Sequence, residues 1–189
     1  MSIMITAVLF FLLVGMISYF IAIYNGLILV SRNIDKDWSN IDVLLKQRHD
    51  EIPKLVEVCK GYMNYERETL INITAARASC IQAKNVGESS QAEGNLAKSL
   101  KTLFAVAENY PDLKANQNFT QLQQRVSYLE SQIADRRELY NDSVNIYNIR
   151  INEIPDMFVA RSLAMKPHEL FNITEEEKKV VDINFESPK

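Results

Sequence analysis

From Ile3 to Ile23 the chain runs for twenty-one residues without a charged side chain: Ile3-Met-Ile-Thr-Ala-Val-Leu-Phe-Phe-Leu-Leu-Val-Gly-Met-Ile-Ser-Tyr-Phe-Ile-Ala-Ile23. A helix needs about 20 apolar residues to cross the roughly 30 Å hydrocarbon core of a bilayer, so this run reads as a span. A cleaved signal peptide would show a basic start, a shorter apolar core and a small-residue cleavage site. Here no Lys or Arg precedes Arg32, and the exit reads Ser18-Tyr-Phe-Ile-Ala-Ile-Tyr-Asn25. Residues 1–24 are therefore expected to be an uncleaved single-pass anchor, with Tyr19, Tyr24 and Arg32 at the membrane interface. Arg32 and Lys36 follow the span and no basic side chain precedes it. Positive-inside counting then puts the N-terminus out and the helical body in the cytoplasm.

Beyond the span, helices are the economical reading. Five glycines and five prolines among 189 residues leave few turn formers for a sandwich or a doubly wound sheet. From Ile34 the apolar positions step by four and three: Ile34, Trp38, Ile41, Leu45, Arg48, Ile52, Leu55, Cys59, Tyr62, Glu66, Thr69, Ile73, Ala76, Cys80. Such a 3.5-residue period marks a helix packed along a seam. Pro53 interrupts it, and one kinked helix or two abutting helices both satisfy the pattern. The polar stretch Lys84–Gly94 is expected to be a loop. A second helix carries Leu96, Leu100, Leu103 and Ala107 up to Tyr110-Pro111. A third runs from about Lys114 to Glu153 with Phe119, Leu122, Val126, Leu129, Ile133, Tyr140, Val144, Tyr147 and Ile151, and Pro155 stops it.

The expected fold is all-α: an N-terminal transmembrane helix (1–24), then an antiparallel bundle of long, coiled-coil-like helices (25–155). Residues 156–189 form a C-terminal segment, apolar around Met157-Phe-Val and Leu163-Ala-Met165, and a solvated tail with the charge run Glu175–Lys179. Arg48, Glu66 and Arg136 fall on seam positions where apolar residues are expected. They either snorkel and pair across the bundle, or fix register or a subunit contact.

A search for chemistry finds little. The net charge of −3 argues against a nucleic-acid partner. Two cysteines and two histidines are too few for a disulfide framework or a zinc site built on Cys and His alone. His49 sits beside Asp50 and Glu51, but adjacent residues point in different directions around a helix and form no one site, so His49 is expected as an exposed surface residue. Cys59 and Cys80 stand three heptads apart on one stripe and read as small buried hydrophobes. No phosphate-binding loop, dinucleotide fingerprint, nucleophile elbow or His-Glu-x-x-His motif is present. No catalytic, cofactor-binding or metal-ligating residue is assigned, no cofactor is implied, and an enzyme is not expected.

The residues do resemble a known family. Tyr24-Asn-Gly-Leu-Ile-Leu-Val-Ser-Arg-Asn33, Trp38-Ser-Asn-Ile-Asp-Val43, Lys46-Gln-Arg-His-Asp50, Ile52-Pro-Lys-Leu-Val56 and Lys60-Gly-Tyr62 are similar to the LemA family. A second block is as close: Ala107-Glu-Asn-Tyr-Pro-Asp-Leu-Lys-Ala-Asn-Gln-Asn-Phe119, then Leu122-Gln123, Glu130, Ile133, Arg136-Arg137, Tyr140-Asn141, Val144, Tyr147-Asn148 and Pro155. The likeness covers about residues 20 to 165. It departs after the third helix, where Phe158-Val-Ala-Arg-Ser-Leu-Ala-Met165 stands in place of an aromatic, glycine-containing run. The resemblance implies a bacterial inner-membrane protein with one N-terminal span and a helical bundle, without an established activity, cofactor or substrate. Relatives in magnetosome-forming bacteria are associated with organising an internal membrane.

The expected function is accordingly non-enzymatic: a membrane-anchored scaffold that assembles into homo-oligomers and organises the bacterial inner membrane. Its partners are the lipid bilayer and further copies of itself, through off-seam Val43, Leu44, Val56, Val58, Phe104 and Val106. The alternative is a tethered adaptor that holds a protease or signalling protein, of unknown identity, through residues 155–189. A third reading, a carboxylate metal site between helices, lacks the inward Glu-x-x-His pairs that such bundles use.

Overall fold

A computed structural model describes residues 1–63 and 65–171, and every element among them is a helix: α1 (Ser2–Lys60), α2 (Arg67–Gln82), α3 (Val86–Ala107), α4 (Pro111–Ala115), α5 (Gln117–Arg150) and α6 (Asp156–Ser162). The Glu175–Lys179 run lies outside the described residues. Two compact units are present. The first comprises Met1–Leu45 with Ser131–Leu170, and the second Lys46–Glu130 with Phe171, so α1 and α5 contribute to both.

In the first unit, the α1 seam buries Ile23, Leu27, Ile34, Ile41 and Leu45, and α5 answers with Ile133, Tyr140, Val144, Tyr147 and Ile151. Steps of three, four and seven keep each set on one helical face. Trp38 sets its ring 5.6 Å from that of Tyr140. Polar ties fix the pairing. Ser143 Oγ donates to Asp37 at 2.6 Å, and Arg150 Nη1 donates to the Gly26 carbonyl at 3.2 Å. A Cβ at position 26 would stand 3.0 Å from Arg150 Nη2, so a glycine lets the guanidinium lie against α1. The C-terminal end of α5 therefore lies beside the exit of the apolar run, an arrangement the sequence left open.

Arg150 also pairs with Asp156, at the start of α6. Across an open cleft of about 480 Å³, Phe158, Val159 and Leu163 of α6 face Ile17, Phe20 and Tyr24 of α1. The helix ends in a 6→1 bond from Met165 N to Ala160 O and a 5→2 bond from Ala164 N to Arg161 O, with Ala164 at φ 51°. This is a Schellman cap made without the usual glycine. The chain then runs back along α5. Asn148 brackets His168 with two 2.9 Å bonds, and the Tyr140 hydroxyl donates to the Glu169 carbonyl.

In the second unit, Ile52, Leu55 and Cys59 of α1 pack with Ile73, Leu96, Leu100, Leu103, Leu113, Phe119 and Val126. α2 and α3 form a hairpin across the three-residue link Ala83–Asn85. Three expectations need correction here. The long helix does not continue to Cys80: it stops at Lys60, and the chain turns before α2 begins at Arg67. Cys59, Glu66, Ile73 and Cys80 keep one seven-residue phase across that turn, so the stripe hid the break. Of the two readings open at Pro53, the single helix holds: Pro53 lies inside a continuous α1. Second, Lys84–Gly94 is not a loop. Asn85 Oδ1 accepts from Glu88 N at 2.8 Å, while the Glu88 carboxylate accepts from Lys84 N and Asn85 Nδ2. This reciprocal cap starts α3 at Val86 despite two glycines. The expected third helix is likewise divided: α4 ends at Ala115, and Asn116 Oδ1 caps α5 by accepting from Asn118 N and Phe119 N.

Candidate functional site

The polar chemistry of the second unit gathers around Arg48. A guanidinium at a seam position must leave the helix for water or find anions. Here it finds anions. Its side chain is 2% exposed, Nη2 pairs with Glu93 of α3, and Nη1 pairs with Glu130 of α5. Glu93 is 4% exposed, whereas Glu130 is 34% exposed. Arg48 Nε is buried without an acceptor among the described residues.

Glu93 has a second partner, His49 Nε2, at 2.8 Å. His49 is only 13% exposed, so its expected surface position is corrected. α1 turns its Arg48–His49 edge toward α3, and successive residues engage the two oxygens of one carboxylate. Burial would raise the Glu93 pKa, but the His49 hydrogen bond and the Arg48 charge outweigh it and hold the carboxyl below its ordinary value.

Pro53 shapes the same place. With no N–H it cannot bond the carbonyl four residues back, which is that of His49. Arg77 Nε of α2 donates to that freed oxygen at 2.7 Å. The proline thus gives α2 a backbone acceptor on α1 beside the carboxylate cluster.

Cys80 completes the group. Its thiol bonds to Glu93, and burial, with the Glu93 charge behind it, pushes its pKa up to about 12. Burial alone lifts Cys59, which stands in the apolar core, to about 11. Both cysteines are free. The ligand-type atoms of His49, Cys80 and Glu93 all lie within 4.8 Å of one another.

The other sequence-derived candidates stand elsewhere. Glu66 is in the turn before α2, where it accepts from the Tyr110 hydroxyl at 3.3 Å. Arg136 is exposed on α5 in the first unit. Tyr19, Tyr24 and Arg32 are exposed on α1 in the first unit. Of the off-seam residues considered for subunit contacts, Val56 is buried, and Val58, Phe104 and Val106 are partly buried against the core. Val43 remains exposed. Exposed apolar residues missed by the periodicity are Leu139, Ile146 and Ile149 on α5. Their spacing of seven and three places them on one face, a signal the sequence did contain.

The sequence pattern that defines the LemA family matches residues 37–185. The chain is 28% identical to Protein LemA of Metamycoplasma hominis over 181 residues, 93% of this chain and 81% of that protein. It is 22% identical to Magnetosome protein MamQ 2 of Paramagnetospirillum magneticum over 174 residues, 78% of this chain and 64% of that protein. It is 21% identical to Magnetosome protein MamQ of Magnetospirillum gryphiswaldense over 186 residues, covering 68% of that protein.

Proposed function

This chain belongs to the LemA family, and from that premise we propose a non-enzymatic scaffold, anchored in the membrane by α1, that assembles laterally with further copies of itself. The observation that carries the reading is the apolar stripe of Leu139, Ile146 and Ile149, which are 49%, 52% and 46% exposed on the first unit. A solvated helix face normally carries charge, and exposed apolar residues that share one helix face point to an interaction surface. A single N-terminal anchor points every copy the same way in one plane. Equivalent stripes then meet neighbours by a repeated heterologous contact, which closes into a ring when the rotation allows.

A location in the bacterial inner membrane fits the one candidate span among the described residues, which lies near the N-terminus in α1. Arg150 and Arg161 join Arg32 and Lys36 on the first unit after the span, and this supports the N-out orientation with the body in the cytoplasm. The magnetosome proteins among the relatives make membrane organisation the favoured process.

The test is the particle mass of the full-length chain in mild detergent, by mass photometry. A multimer is expected for the native sequence. The triple variant Leu139→Ser, Ile146→Ser, Ile149→Ser should shift to monomer with unchanged helicity. A monodisperse monomer of the native chain at micromolar concentration would overturn self-assembly and favour the tethered adaptor.

A further inference from the structure

We propose that the second unit holds one divalent transition-metal ion of the zinc class on His49 Nε2, Cys80 Sγ and a carboxylate oxygen of Glu93. The three groups come from three helices, α1, α2 and α3, and converge on one partly enclosed point. Tetrahedral bonds of about 2.0–2.3 Å set ligand atoms about 3.3–3.8 Å apart. The three ligand atoms here already lie within 4.8 Å of one another, and His49 Nε2 stands 2.8 Å from a Glu93 oxygen. Imidazole, thiolate and carboxylate are the three donor types that zinc accepts, and three protein ligands leave a fourth position for water.

The surroundings hold the ligands as an outer layer does in metal sites. Arg48 takes Glu93 Oε2, which leaves Oε1 directed at His49. Arg77 fixes the His49 backbone through the carbonyl that Pro53 frees. The buried Arg48 Nε, without an acceptor among the described residues, leaves one donor of the guanidinium unused beside the site.

The same arginines oppose a cation, and this sets the selectivity. Magnesium and calcium, which bind through oxygen ligands, gain nothing from imidazole or thiol to offset that repulsion. Ions that bind thiolate and imidazole strongly can offset it. Binding is an acid–base exchange without oxidation: the ion displaces the Cys80 thiol proton, which leaves to solvent, and a metal–sulfur bond forms. Affinity therefore rises with pH, because a thiol must shed its proton to bind the ion as thiolate. The charged groups facing the site are Arg48, Arg77, Glu93 and Glu130.

The experiment is a cobalt(II) titration of the full-length chain, purified in detergent and stripped with chelator. One thiolate-to-cobalt charge-transfer band is expected, saturating at one ion per chain and bleached by zinc, with one proton released per ion and no response to magnesium. Cys80→Ser should abolish the band, and Cys59→Ser should keep it. His49→Gln should weaken binding at least about tenfold. Far-UV circular dichroism checks each variant. If Cys80→Ser loses helicity, His49→Gln and the native chain decide. No band from the native chain, a band that survives Cys80→Ser, or one lost in Cys59→Ser overturns the proposal.

Discussion

Arg48 shows how one side chain can be legible in position and illegible in purpose. Its place on the seam followed from the four–three stepping, but its principal partner did not, because Glu93 lay in a polar stretch that read as loop. Burial converts that pair into a strong constraint. Arg48→Ala leaves Glu93 charged and enclosed, and the expected cost is about 3–5 kcal/mol in urea unfolding followed by circular dichroism. Glu130→Ala, at a 34% exposed carboxylate, should cost about 1 kcal/mol or less. The pH dependence has a definite sign. The folded Glu93 pKa lies below its unfolded value of about 4.3. Its contribution is complete above that value and is lost as pH falls through the lower folded one. Glu93→Gln should therefore flatten the acid limb of the stability profile below about pH 4.3, measured by denaturation midpoints. An unchanged limb would remove Glu93 from the account.

At the level of elements, periodicity located the helices but not their ends. The turn after Lys60 escaped because its length preserved the heptad phase, with Gly61 as the one local sign. The start of α3 escaped for the opposite reason: composition argued for loop, while one Asn–Glu cap decided for helix. Asn85→Ala removes that cap and should cost about 1 kcal/mol. α6 offers a change in the other direction. Ala164 sits at φ 51°, where a Cβ is penalised by roughly 1 kcal/mol or more. Ala164→Gly removes that penalty against a small loss of chain entropy, so a gain of up to about 1 kcal/mol is expected from the same unfolding measurement. A loss instead would place the Ala164 methyl in a contact that matters.

For the molecule as a whole, the fold class and the family were readable from the start. The apolar run, the scarcity of glycine and proline, and two long stepped stripes leave few alternatives to an anchored helical bundle. Neighbours across helices were not readable, since one sequence carries no register between α1 and α5. The Gly26–Arg150 bond supplies that register for the first unit. Alkaline carbonate extraction of membranes should leave the full-length chain in the pellet, and release into the supernatant would remove the span. α1 itself has a mechanical consequence. It passes from the apolar run to Leu45 without a joint, and its one glycine there beyond the span, Gly26, is clamped by Arg150. A helix rising 1.5 Å per residue and leaning by about 20° swings a point twenty-two residues on by roughly 11 Å. Thinning or thickening the bilayer alters that lean. Lipid thickness is then read out as the sideways position of the first unit, with α1 as the pointer.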